Sequence, residues 1–164
     1  MIYKISEEEV CVLEKLISTT SKTENNQERK LTSSQKHIYK YRDSILPNIE
    51  IEYYSTTNKD LNKKLSDILE VDNVTPITIH TFKYYDGAHS NRHRDTNSNQ
   101  TFVIILEDDY EGGDFYLNDT LTEFRNRGDV ANYVGKECFH HVTPITKGVR
   151  TVLVVWYPHE NVLI

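Results

Sequence analysis

The tripeptide His93-Arg94-Asp95 is the first place in this chain where residue type and spacing suggest chemistry. On an extended segment alternate side chains share a face, so His93 and Asp95 can grip one ion while Arg94 points away. A third ligand must come from elsewhere, and His140 or His141 can supply it beside a β-rich run. Two imidazoles and one carboxylate on one side of a metal leave other coordination positions open, an arrangement suited to iron(II) oxygen chemistry. By itself the tripeptide is weak, because a chain with seven histidines and 25 acidic residues produces it readily by chance.

The run His140-His141-Val142-Thr143-Pro144-Ile145-Thr146-Lys147-Gly148-Val149-Arg150 strengthens it. Arg150 follows a Pro144-to-Gly148 turn and opens a strongly apolar stretch, where Val152, Val154 and Trp156 would share its face. Such a guanidinium is buried among apolar neighbours and needs an anion; a carboxylate matches its planar fork. An internal salt bridge to a protein carboxylate is the competing explanation.

These side chains need elements to place them. Ser6-Glu7-Glu8-Glu9 reads as a capping box that opens a helix, with Val10, Leu13, Leu16 and Ile17 on one stripe. From Thr19 to about Lys36 the chain is polar and reads as a mobile, solvated loop. A second helix is expected from Asn58 to Glu70, burying Leu61, Leu65, Ile68 and Leu69. After Pro76, short β-rich runs follow at Ile77–Tyr85, Thr101–Leu106, Asp114–Leu117, Leu121–Arg125, Val130–Val134 and Val149–Tyr157, separated by Gly, Asn and Asp clusters. Helices followed by closely spaced strands predict an α+β chain ending in a sandwich or barrel. Residues 1–164 are expected to form one domain, with a helical part at about 1–72 and a β core at about 75–158. The acidic run Glu107-Asp108-Asp109-Tyr110-Glu111 reads as a solvated turn; near a site mouth it would attract a basic peptide.

The ordered set Tyr84-Tyr85-Asp86-Gly87, His93-Arg94-Asp95, Glu111-Gly112-Gly113-Asp114-Phe115, Gly128-Asp129-Val130 and His140 through Arg150 to Trp156 resembles the prolyl-4-hydroxylase-like branch of the iron(II)- and 2-oxoglutarate-dependent oxygenases. The resemblance covers about half the chain, from Thr78 to Trp156. It implies a double-stranded β-helix, a cupin-like jelly roll with the N-terminal helices packed on one sheet. It implies His93, Asp95 and His140 as metal ligands, with His140 preferred over His141 by its place ten residues before Arg150. Arg150 and Tyr84 would hold the far carboxylate of 2-oxoglutarate, with Tyr85 as the fallback for Tyr84. Iron(II), 2-oxoglutarate and dioxygen are the implied cofactor and co-substrates, and ascorbate a candidate accessory reductant. The implied reaction hydroxylates a C–H bond, in the first instance of a prolyl residue in a protein or peptide, and releases succinate and CO2. Halogenating relatives lack the carboxylate ligand, so Asp95 favours hydroxylation. Relatives that repair nucleic acids carry a second arginine where Trp156 stands.

The bulk composition agrees. A net charge of −6 argues against binding nucleic acid by phosphate neutralisation, and no apolar run is long enough to cross a bilayer. The N-terminus lacks the basic-then-apolar layout of a signal peptide, and Cys11 and Cys138 form no CxxC pair, so a cytoplasmic protein with reduced thiols is expected. Two other functions compete: a hydroxylase of a free amino acid or small metabolite, and a non-catalytic cupin-like binding protein. A zinc hydrolase would use similar ligands but gives no role to a buried Arg150.

Overall fold

The computed structural model describes residues 1–23, 48–72, 74–95 and 99–158. Most of the polar segment from Thr19 to Lys36 lies outside them.

The first helix, α1 (Glu7–Ser18), begins at a complete capping box: the Ser6 hydroxyl accepts from Glu9 N, and the Glu9 carboxylate accepts from Ser6 N. The second, α2 (Lys59–Leu69), is capped by Asn58, whose side-chain oxygen accepts from Asp60 N and Leu61 N. Both helices lie within two residues of their predicted ends because caps are local chemistry.

The strands are β1 (Ile2–Lys4), β2 (Lys22–Thr23), β3 (Ile49–Tyr54), β4 (Thr78–Tyr84), β5 (Ser90–His93), β6 (Asn99–Glu107), β7 (Tyr110–Gly112), β8 (Phe115–Leu117), β9 (Thr120–Leu121), β10 (Asp129–Val134), β11 (His140–Val142), β12 (Ile145–Gly148) and β13 (Arg150–Pro158). Seven form a large sheet in the order β1-β10-β6-β13-β4-β3-β2, four form a smaller sheet β5-β11-β8-β9, and β12 pairs with β7. All the pairings are antiparallel. The N-terminal part is therefore not helical alone, since β1 and β3 extend the large sheet. The segment Thr122–Arg125 is not strand; the Thr122 hydroxyl accepts from Phe124 N, and this turn drives Phe124 into the core. Ile145–Gly148, predicted as a turn, is instead β12.

Period-two alternation splits the large sheet's side chains between two cores. Phe102, Ile104, Leu106, Leu153, Val155 and Tyr157 pack under α1 and α2 with Val10, Leu13, Leu61 and Leu65. Val103, Ile105, Val152, Val154 and Trp156 face the opposite way, with Phe115, Val142 and Ile145. This is the jelly roll expected, with helices on one face of the large sheet and the site on the other. Arg127 ties α1 to the sheet, bonding Glu7, Glu14 and the Leu106 carbonyl.

Candidate functional site

β5 and β11 pair so that His93 and His140 are direct cross-strand partners, which puts both imidazoles on the same side of the smaller sheet. Their rings lie 4.3 Å apart. Asp95 comes just past the end of β5, where its N–H donates to the Gly135 carbonyl at 2.9 Å. A Cβ at Gly135 would collide with the Asp95 carboxylate, so glycine there makes room for the acid. The Thr101 hydroxyl bonds Asp95 Oδ2 at 3.3 Å. Oδ1 is then the oxygen facing the histidines, 3.7 Å from His93 Nε2 and 3.6 Å from His140 Nε2. Two ligand bonds of about 2.1 Å to a shared ion can span such separations.

The tautomers fit this use. His93 Nδ1 meets the Asn91 carbonyl and His140 Nδ1 meets the Cys138 carbonyl, the latter at 3.0 Å. A carbonyl can only accept, so each Nδ1 carries a proton, which leaves each Nε2, on the Asp95 side, as the nitrogen placed to bind a metal. The side chains of Asp95 and His140 are buried, and that of His93 is 35% exposed. Two imidazole nitrogens and a carboxylate oxygen form a donor set that fits a divalent transition metal with open positions.

The group opens into a cavity of about 460 Å³, mouth included, whose walls include Phe82, Tyr84, Thr101, Tyr133, Arg150, Val152, Val154 and Trp156. Among the described residues Arg150 is the largest fully buried side chain, at 1% exposure. It faces the same way as Val152, Val154 and Trp156, as alternation requires. Among the described residues no carboxylate forms an ion pair with it, and its Nε has no hydrogen-bond partner. The aromatic faces of Tyr84 and Phe124 lie 5.1 and 5.8 Å from its guanidinium carbon. Tyr84 is Arg150's direct partner across β4 and β13.

The neighbours left open by the sequence separate clearly. His141 turns to the outer face and stacks on Tyr116 at 4.6 Å, away from His93 and Asp95. Tyr85 is 37% exposed and donates to Glu50 at 2.9 Å, outside the cavity. Residues that sequence reasoning passed over include Thr101, Tyr133 and the buried His80, all on the cavity wall. Tyr110 and Phe124 were missed as well. Alternation along β4 and β6 could have nominated His80 and Thr101, but nothing local marks the other three.

No protein-family model matches the chain. In sequence it is 37% identical over 59 residues to a PKHD-type hydroxylase of Paraburkholderia xenovorans, a stretch covering 34% of this chain and 26% of that protein. The match thus spans about a quarter of that relative's length. In structure it is similar to HygX from Streptomyces hygroscopicus, solved with nickel and 2-oxoglutarate bound (TM-score 0.61, 10% identity, 98% of this chain and 82% of that one). It is similar also to a viral collagen prolyl hydroxylase from Paramecium bursaria Chlorella virus-1 (0.58, 15%, 97% and 94%). A 2OG-Fe(II) oxygenase-family protein from Burkholderia pseudomallei gives 0.58 at 12% identity, over 96% and 81% of the two chains.

At these identities the structural likeness establishes the fold, a double-stranded β-helix with a His-Asp-His group inside it. The ordered motifs and the local sequence match are narrower: the chain resembles the prolyl-4-hydroxylase-like 2-oxoglutarate oxygenases.

Proposed function

We propose that this chain is an iron(II)- and 2-oxoglutarate-dependent dioxygenase that hydroxylates a C–H bond of a prolyl residue in a protein or peptide, releasing succinate and CO2. One observation carries the reading: a fully buried guanidinium, with no ion pair among the described residues, lines the same cavity as a His-Asp-His group.

His93, Asp95 and His140 would hold the metal, and Arg150 with Tyr84 would hold the distal carboxylate of 2-oxoglutarate. Bound together, iron(II) and 2-oxoglutarate supply the oxidising power that inserts one atom of dioxygen into the substrate. The chain's part is placement. Cross-strand pairing aligns the two imidazoles, and Thr101 holds Asp95 Oδ2 so that Oδ1 faces the two histidines, where it would meet a metal. Arg150 contributes a charge whose attraction for a carboxylate is little screened at that depth. The apolar walls Phe82, Val103, Val152 and Val154 exclude water from the reacting atoms.

The test incubates the protein with iron(II), 2-oxoglutarate and oxygen in the presence of short proline-containing peptides, and in parallel with free proline. Succinate release and a peptide mass gain of one oxygen atom are expected. Oxygen gain on free proline alone would move the substrate to small amino acids. Failure to bind either iron(II) or 2-oxoglutarate under anaerobic titration would leave a non-catalytic jelly roll.

A further inference from the structure

We propose that Thr101 is a positioning residue that limits Asp95 to a single bond with the metal, so that the coordination position its second oxygen would fill stays open to an outside ligand. The inference rests on His93, Asp95 and His140 as the metal ligands, and not on Arg150 or on the identity of the substrate.

Thr101 opens the apolar run Thr101-Phe102-Val103-Ile104-Ile105-Leu106 of β6. Alternation turns it to the same side as Val103 and Ile105, toward the cavity, and it is 1% exposed. Valine has the same branched shape and no hydroxyl to bury. A hydroxyl at such depth is costly without a partner, and the partner here is Asp95 Oδ2, 3.3 Å away.

This bond ties one sheet to the other. Thr101 pairs with Tyr133 of β10 on one side and Trp156 of β13 on the other, so its oxygen is carried by backbone held at both edges. Asp95 instead follows β5 of the smaller sheet. The same cross-strand row reaches a second ligand, since the Tyr133 ring lies 4.8 Å from that of His140.

Oδ2 is confined from another direction as well. A Cβ on Gly135 would fall on that oxygen, and the Gly135 carbonyl fixes the Asp95 backbone by accepting its N–H at 2.9 Å. One carboxylate oxygen is thus enclosed between Thr101 and Gly135. The other lies 3.7 Å from His93 Nε2 and 3.6 Å from His140 Nε2. Carboxylates bind cations through one oxygen or both, and chelation needs both within bonding distance of the ion. The Thr101 hydroxyl holds Oδ2 back. Without it, a buried and charged oxygen loses this donor and turns to the ion.

The experiment loads wild type, Thr101→Val and Thr101→Ser with Mn(II) alone. It measures Mn(II) affinity, melting temperature and the water-proton relaxation caused by the bound ion, which scales with the number of exchangeable waters on it. An octahedral ion with three protein bonds keeps about three positions for water. A second bond from Asp95 takes one of them, so relaxation should fall by roughly a third in Thr101→Val. Thr101→Ser, which keeps the hydroxyl, should match wild type. Equal relaxation in Thr101→Val and wild type overturns the proposal, as does a fall of the same size in Thr101→Ser. Loss of Mn(II) binding in Thr101→Val is also adverse, because it marks a residue needed to form the site rather than to restrain Asp95. Should Thr101→Val melt far below wild type, Thr101→Ala and Thr101→Ser differ only by the oxygen, and equal relaxation in that pair would sink the idea. A wild-type protein that takes no Mn(II) removes the ligand set and Thr101's role with it. One that takes Mn(II) but no 2-oxoglutarate overturns the dioxygenase reading and supports the ligand set on which the role of Thr101 rests.

Discussion

Adjacent histidines with opposite fates show how finely the site depends on single side chains. His140 lies beside His93 and Asp95, while His141, one residue on, stacks on Tyr116 at the outer face. His140→Ala is expected to abolish Mn(II) binding and 2-oxoglutarate turnover, and His141→Ala to leave both near wild type. Anaerobic metal titration of the two variants decides it, and a working His140→Ala enzyme would remove that residue from the ligand set. Arg150→Ala would leave the carboxylate of 2-oxoglutarate, as proposed above, without a counter-charge in a buried site. The expected cost is roughly a hundredfold in the 2-oxoglutarate requirement. Steady-state kinetics with 2-oxoglutarate varied would detect it, and an unchanged requirement would place the clamp elsewhere.

Elements hold these residues in register, and the turns between them matter as much as the strands. Gly135, just past β10, accepts from Asp95 N through its carbonyl and gives up Cβ space to the Asp95 carboxylate. Gly135→Ala should therefore displace the acid and weaken metal binding while circular dichroism stays native. Retained Mn(II) affinity would mean the backbone yields instead. The helices behave differently, because they brace the far face of the large sheet. Asn58→Ala removes the cap of α2 and is expected to cost about 1 kcal/mol of stability. Urea denaturation would measure it, with metal affinity unaffected.

For the molecule as a whole, surface carboxylates respond to pH together. Hydrogen bonds from Arg127 hold Glu7 below its ordinary value, Tyr54 and then Lys22 do the same for Glu52, and Arg92 for Asp119. Groups depressed in the folded state add stability that is complete above the unfolded pKa and is lost as pH falls through the folded one. The melting temperature should hold to about pH 5 and then decline toward pH 3. These groups are exposed, so the decline should shrink in high salt. A melting temperature flat across that range at low salt would show that the pairs add nothing. No helix among the described residues is long and apolar enough to cross a membrane.

Local chemistry made much of this protein readable from its residues. The Ser6 capping box, the Asn58 cap and the alternation along Arg150–Pro158 each depend on neighbours a few positions away, so the order of side chains settles them. The approach of His93 to His140 and the turning of His141 outward depend on the register between β5 and β11, strands separated by almost fifty residues. Ile2–Lys4 and Ile49–Tyr54 became strands because the large sheet offered them edges, and Ile145–Gly148 because Tyr110–Gly112 lay opposite it. Tyr110 looked solvated among acids; only the packed ribbon, pressed together where glycines lack a Cβ, carried its ring into the core and its hydroxyl to the Arg125 carbonyl. Short-range preferences name the elements, but contact across the sheets decides which side chains meet, because that depends on distances the chain order does not encode.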